Sequence, residues 1–210
     1  IMNIVGVSFS YSDNSMNYRG LKLMDHHIGF SDIIKLDLPV CNSNKADGVV
    51  PPKVKNFDER LEKADVLVFA IPEYTGHYAH GFKNVMDWLV VGKQYNASLG
   101  QNYSISDKPV YVITFTPALS PTGGRHFDMT RHMLQDKMGC DVKAMYVKNN
   151  CWEELLPNNY DFVWTECDAI LSCKGFRKIE KRNDMTNEVN GWIERYEKWD
   201  EQWTQQDYSY

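Results

Sequence analysis

Near the start of the chain, the stretch Ser8-Phe9-Ser10-Tyr11-Ser12-Asp13-Asn14-Ser15-Met16-Asn17 is rich in hydroxyls and stands just ahead of a helical pattern. A phosphate held there would meet backbone N–H groups that a first helical turn leaves unpaired, the positive end of the helix dipole, and several O–H donors. The dipole contributes only about 0.3–1 kcal/mol at an exposed site, so hydrogen bonds must do most of the holding. The same residue types also make an ordinary Ser/Asn helix cap. The loop has the spacing of neither a Walker P-loop nor a GxGxxG turn.

Two further loops carry polar and aromatic groups. Pro72-Glu73-Tyr74-Thr75-Gly76-His77-Tyr78 follows the most apolar run in the chain. A planar ring system could be held there by edge hydrogen bonds to the backbone and by contact with Tyr74 or Tyr78. Thr116-Pro117-Ala118-Leu119-Ser120-Pro121-Thr122-Gly123-Gly124-Arg125 contains a glycine pair that permits positive φ and close approach to a flat ligand. The plainer alternatives are packing tyrosines and a simple turn. His77, His80, His126 and His132 show no metal-ligand spacing with a third ligand, and no metal site is expected.

The elements that must position these loops follow from periodicity. Strands are expected at Met2 to Val7, Ile33 to Leu38, Asp65 to Ile71, Pro109 to Thr116 and Asp141 to Val147. Helices are expected from Ser15 to about Ile28, Val54 to Lys63, Gly81 to Val91 and about Arg125 to Met138, the last closed by Gly139. Asp65 to Ile71 is an unbroken apolar run of the kind that parallel sheets bury on both faces, which places it at the sheet centre. Alternating strands and helices imply a parallel sheet with right-handed crossovers. Ligands of such sheets bind at the carboxyl ends of the strands where the strand order switches direction. The loops after Ser8, Ile71 and Thr116 are the ones that meet there.

Residues 150–183 read as an irregular insertion in which Phe162 to Cys167 or Ala169 to Cys173 could be short strands. Thr186 to Trp203 reads as a last helix and 204–210 as a frayed tail. One domain over 1–210 is the expectation. With 43% hydrophobic residues, a chain of 210 can bury roughly 70% of its unfolded surface and fold without disulfides or structural metal. Its 23 Lys and Arg against 28 Asp and Glu give a net charge of -5, which argues against nucleic acid or anionic lipid as a partner. No apolar run approaches the roughly 20 residues of a membrane helix. Five scattered cysteines without a CxxC pair read as buried, reduced thiols. A cytoplasmic setting follows as an expectation.

The segment ADVLVFAIPEYTGHYAHGFKNVMDW resembles the signature of the NADPH-dependent FMN reductase family, in which a central strand leads into P-E-Y and then, after a small-residue loop, L-K-N-x-x-D-W. The matching positions are Pro72, Glu73, Tyr74, Gly76, Lys83, Asn84, Asp87 and Trp88, with Phe82 in place of the leucine. The family's first loop resembles G-S-x-R-x-x-S-x-N. Here Ser15-Met16-Asn17 matches its end, while the arginine position falls on Ser12, so the usual cation is missing. Arg19, one turn into the helix, is a candidate to compensate. Asp13 must point outward if a phosphate is to bind.

The resemblance implies a flavodoxin-like three-layer α/β/α sandwich with a five-stranded parallel sheet, order 2-1-3-4-5. It implies FMN as cofactor, NADPH or NADH as co-substrate, a small-molecule electron acceptor (quinone, azo compound, metal oxyanion or free flavin), and a homodimer or homotetramer. Carried onto this chain, Ser8, Ser10, Ser12, Ser15, Met16 and Asn17 would hold phosphate and ribityl, and Pro72, Glu73, Tyr74, Thr75 and Gly76 the ring, with Thr116 and Gly124 at its edge. The flavin itself would carry the chemistry. Lys83, Asn84, Asp87 and Trp88 would support the second loop and a subunit interface, with Glu73 and Asp87 as cap and salt-bridge partners. Two other readings stand beside this one: a flavodoxin-type electron carrier that oxidises no nicotinamide, and a flavin-free scaffold that keeps only the fold.

Overall fold

The structure, a computed structural model, describes residues 2–42, 50–95, 102–119, 122–151 and 159–172, all within one compact unit. In chain order they form β1 (Ile4–Ser8), α1 (Met16–Ile28), β2 (Asp32–Lys35), α2 (Pro52–Glu62), β3 (Val66–Ala70), two short strands β4 (Glu73–Tyr74) and β5 (His77–Tyr78), α3 (His80–Tyr95), β6 (Pro109–Phe115), α4 (Phe127–Arg131) with a π-helical continuation His132–Lys137, β7 (Asp141–Lys148), a 3-10 turn Tyr160–Val163 and α5 (Trp164–Leu171).

Five strands pair in parallel in the order β2-β1-β3-β6-β7, the arrangement expected from the sequence. Every residue of β1 and β3 is buried, because helices cover both faces. Strand alternation sorts the side chains into two cores. Val5, Val7, Leu67, Phe69, Val110 and Val112 pack against Val54, Phe57 and Leu61 of α2 and Phe82, Val85, Met86 and Leu89 of α3. Ile4, Val66, Val68, Tyr111, Ile113 and Phe115 pack against Leu21, Met24 and Ile28 of α1 and Cys167 and Ile170 of α5. Each such side chain contributes about 1.5–3 kcal/mol through its removal from water. The two cores together hold the three layers.

α1 begins one residue later than expected because Ser15 is its cap. Ser15 keeps an extended backbone (φ -62, ψ 124), and its Oγ accepts from the Tyr18 N–H. Gly29 (φ 64) closes the same helix. β2 stops at Lys35 rather than Leu38. The fourth helix starts two residues late and turns π-helical after Arg131, its Met138 N–H reaching back to the Met133 carbonyl. The short strands entertained for 162–173 are instead a 3-10 turn and α5. Val163, Cys167 and Ile170, three to four residues apart, present one buried stripe to the α1 side of the sheet, which a two-residue period could not do. The expected final helix and frayed tail, and with them the extent of a single domain over 1–210, lie outside the described residues. Among the described residues no helix is long and apolar enough to cross a membrane.

Candidate functional site

β1, β3 and β6 are neighbours in the sheet, so the loops after Ser8, Ala70 and Phe115 rise from adjacent strand ends. The contacts between these loops are specific. In the first loop, the Phe9 N–H continues the ladder to the Ala70 carbonyl at 2.9 Å. A side chain at Gly81, at the start of α3, would lie 2.6 Å from the Phe9 carbonyl oxygen, so only glycine lets α3 come this close to the loop.

Ser8 is fully buried and its hydroxyl has no hydrogen-bond partner among the described residues. Ile4 of the same strand packs in the core that α1 covers, a Cβ on Gly6 would meet Leu21 of α1, and alternation puts Ser8 on that face too. With Ser15 capping Tyr18, the N–H groups of Met16 and Asn17 remain without an intrahelical acceptor. Ser10 is buried and its Oγ accepts from the Ser12 N–H at 3.2 Å, which curls the loop; Ser12 itself is exposed. Tyr11 turns away from the strand ends. Its hydroxyl donates to the Leu38 carbonyl at 3.0 Å and accepts from Asn84 Nδ2 at 2.7 Å, and its ring stacks on His80. Asp13 points outward, as phosphate binding requires, and pairs with Lys35. That hydrogen bond, and the charge behind it, hold the Asp13 carboxyl below its ordinary range. The Asn17 carboxamide, expected to meet a ligand, is turned to the backbone of Phe115 at the end of β6.

The second loop folds as a short hairpin. β4 and β5 pair antiparallel through Thr75 (φ 52) and Gly76 (φ 75), two consecutive left-handed residues that close a two-residue turn of the primed type. Pro72 is buried at its base, where its carbonyl accepts from the Ala79 N–H at 2.9 Å, while the Tyr74 ring stands exposed. Glu73 reaches to the third loop, its Oε2 accepting from the Arg125 N–H at 3.2 Å. The Arg125 side chain lies 3.5 Å from where a Cβ on Gly76 would stand. Glu73 thus links the second loop to the third and caps no helix, while Asp87 forms the expected salt bridge, with Lys83.

In the third loop the Thr116 hydroxyl accepts from the Ala118 N–H at 3.2 Å. Gly123 (φ 109) and Gly124 (φ 73) turn the chain so tightly that a Cβ on either would meet Val147 at 2.9 Å. His126 follows, fully buried. The Thr114 hydroxyl donates to the Ile71 carbonyl at 2.9 Å, so His126 Nε2, 3.0 Å away, must be the proton donor to Thr114 Oγ1. The Thr130 hydroxyl then donates to His126 Nδ1 at 2.9 Å. Burial pushes this imidazole down from 6.5 to about 4, and the ring stays neutral. It ties the floor of the second loop to the third.

The role of His126 was not legible in the sequence, since nothing local to it marks Thr114 as a neighbour twelve residues earlier. Lys35 was missed for the same reason. Asn84 and Trp88 differ from expectation in what they support: Asn84 accepts from the Cys41 N–H (2.7 Å) and donates to Tyr11 and the Pro39 carbonyl, to which the Trp88 indole also donates (2.7 Å). One turn apart on α3, they clamp the chain after β2 and, through Tyr11, the first loop. The arrangement as a whole offers unpaired amides, a buried hydroxyl and a nearby cation at one end, and a hairpin with a glycine turn at the other. It suits a ligand with an anionic end and a flat end.

Comparison with known proteins places this geometry among others. The model of the NADPH-dependent FMN reductase family matches residues 2–152. The chain is 37% identical over 79 residues to a probable NADPH:quinone oxidoreductase of Oryza sativa, a match covering 37% of this chain and 36% of that protein. It is 32% identical over 93 residues to an NAD(P)H-dependent FMN reductase of Pseudomonas aeruginosa, covering 41% and 49%. The chain thus spans less than half the length of these curated relatives. Among solved structures, a flavoenzyme NAD(P)H:(acceptor) oxidoreductase from Paracoccus denitrificans superposes with a TM-score of 0.56 at 19% identity, covering 82% of this chain and 96% of that one. An NAD(P)H:quinone oxidoreductase from Methanothermobacter marburgensis gives 0.56 at 16%, covering 84% and 98%. At these identities the superpositions establish the flavodoxin-like fold.

Proposed function

Given that the chain belongs to the NADPH-dependent FMN reductase family, we propose that it holds FMN across the three loops and uses NADPH or NADH to reduce a small-molecule electron acceptor. The acceptor class is a quinone, azo compound, metal oxyanion or free flavin. The observation that carries this reading is the fully buried Ser8 hydroxyl, which has no hydrogen-bond partner among the described residues and lies on the face of β1 turned to α1. A buried hydroxyl left unpaired costs about 1–3 kcal/mol, which a bound phosphate or ribityl oxygen would recover. When bound, FMN supplies the hydride-accepting and hydride-donating chemistry.

The chain's own residues do the rest. Ser8, Ser10, Ser12 and the Met16 and Asn17 amides receive the anionic end, with Ser15 keeping the helix start in shape. Pro72, Glu73, Thr75 and Gly76 present backbone to the ring edge, Tyr74 covers it, and Thr116 and Gly124 close the other side. Glu73, by fixing the Arg125 amide, keeps the second and third loops in register. A homodimer or homotetramer belongs to the same reading, as does a cytoplasmic setting, which the free thiols Cys41, Cys140, Cys151 and Cys167 support.

Two measurements test it. Titrating the protein with FMN should quench flavin fluorescence with saturable binding. NADPH or NADH should then be consumed when a quinone is added. Flavin binding without nicotinamide oxidation would leave an electron carrier in place of a reductase. No flavin binding would leave a scaffold.

A further inference from the structure

Ser12 occupies the position of the loop arginine in the family's signature, and the cation that pairs with this loop, through Asp13, is Lys35. It ends β2 and pairs in register with Ser8 of β1. Ile33, two residues before it, packs in the core on the α1 side, and alternation puts Lys35 on that same face beside the buried Ser8 hydroxyl. Its ammonium reaches over the strand end to Asp13, in the loop that leads into α1. Asp13 is almost wholly exposed (94%) whereas Lys35 is one-third exposed (34%), so the lysine is the inner partner of the pair. Among the described residues, Lys35 is the charge that pairs with Asp13.

Resting on the FMN reading above, we infer that Lys35 is the cation of the flavin phosphate site, held in place by Asp13 until the phosphate takes over the ammonium. The reason is chemical. A phosphate dianion among amides and hydroxyls alone is held by neutral donors, and a charge-assisted hydrogen bond is roughly twice as strong as a neutral one. An exposed aspartate–lysine pair is screened by water and weak, so a dianion that also engages the amides of α1 can displace the carboxylate. The cation arrives from the neighbouring strand and not from the loop itself, which is why the loop can dispense with arginine.

The test compares FMN with riboflavin, which has the same ring and ribityl chain without the phosphate. Dissociation constants are read by fluorescence quenching on the full chain stripped of flavin, for the unaltered protein, Lys35→Met and Asp13→Asn. Lys35→Met should raise the Kd for FMN about tenfold and leave that for riboflavin unchanged. Asp13→Asn, which frees the ammonium and removes a like charge, should lower the Kd for FMN. Were the pair a strut for the loop, both substitutions would weaken FMN and riboflavin alike, and the inference would be overturned; unchanged FMN binding in Lys35→Met would overturn it equally. Tight FMN binding by the unaltered protein in either case would leave the FMN reading intact, whereas no binding of FMN or riboflavin by it would end both.

Discussion

The carboxamide of Asn17 pairs with both backbone groups of Phe115: its Oδ1 accepts from the Phe115 N–H at 3.1 Å and its Nδ2 faces the Phe115 carbonyl at 3.4 Å. A side chain at the start of α1 thereby takes the place of a strand neighbour at the end of β6. The approach that permits it depends on Gly20, one turn further along α1, where a Cβ would lie 2.4 Å from the Phe115 ring. Gly20 has no other residue's work to do at that point; it is there to let the helix close on the ring.

Gly20→Ala should therefore cost about 1–3 kcal/mol in urea denaturation, the usual range for overpacking a well-filled core. Asn17→Asp is a sharper probe. It keeps an acceptor for the Phe115 N–H and sets a carboxylate oxygen against the Phe115 carbonyl, and it should destabilise the flavin-free protein by about 1–3 kcal/mol. Equal stability of Asn17→Asp and the unaltered chain would mean that the pair carries no load.

His126 makes stability depend on pH. Its ring is neutral when folded and titrates at about 4, against 6.5 when unfolded. Below 6.5 the unfolded chain takes up a proton that the folded one does not. The contribution is thus complete above 6.5 and is lost as pH falls toward about 4. Between pH 7 and 4.5 the unaltered protein should lose on the order of 2 kcal/mol from this group alone. His126→Gln should be less stable at pH 7 and should lose less on acidification, read from urea midpoints at the two pH values.

Thr75 holds a left-handed backbone (φ 52) that a β-branched residue adopts at a cost of roughly 1 kcal/mol or more. Asparagine tolerates that conformation, and Asn-Gly is the favoured pair for this turn. Thr75→Asn should raise stability by about 1 kcal/mol, or roughly 2–4 °C in Tm. A fall in Tm would show that the threonine contacts outweigh the backbone strain.

Asn84 and Trp88 separate cleanly by what each removes. Trp88→Phe keeps the packed ring and drops one hydrogen bond to the Pro39 carbonyl, for about 1 kcal/mol. Asn84→Ala strips the partner of the Cys41 N–H and of the Tyr11 hydroxyl together, and should cost about 2 kcal/mol and weaken FMN binding by loosening the first loop. Hydrogen exchange at Tyr11 and Cys41 would report the loosening directly.

What the amino-acid order determined by itself was whatever depends on near neighbours along the chain. The apolar runs of β1, β3 and β6 announce buried parallel strands, Ser15 announces the start of α1, and the Pro72-Glu73-Tyr74 and Lys83-Asn84-Asp87-Trp88 spacings announce the family. Only the tertiary structure decided which groups meet across the fold. Lys35 reaches Asp13 over 22 residues, Arg125 binds Glu73 over 52, and Asn17 finds Phe115 over 98. Periodicity reports which face of an element is buried, but a hydrogen bond between distant loops depends on strand order and on how closely a helix can approach. Gly20 and Gly81 set that approach by the absence of a side chain, an absence whose meaning appears only when Phe115 and Phe9 are in place.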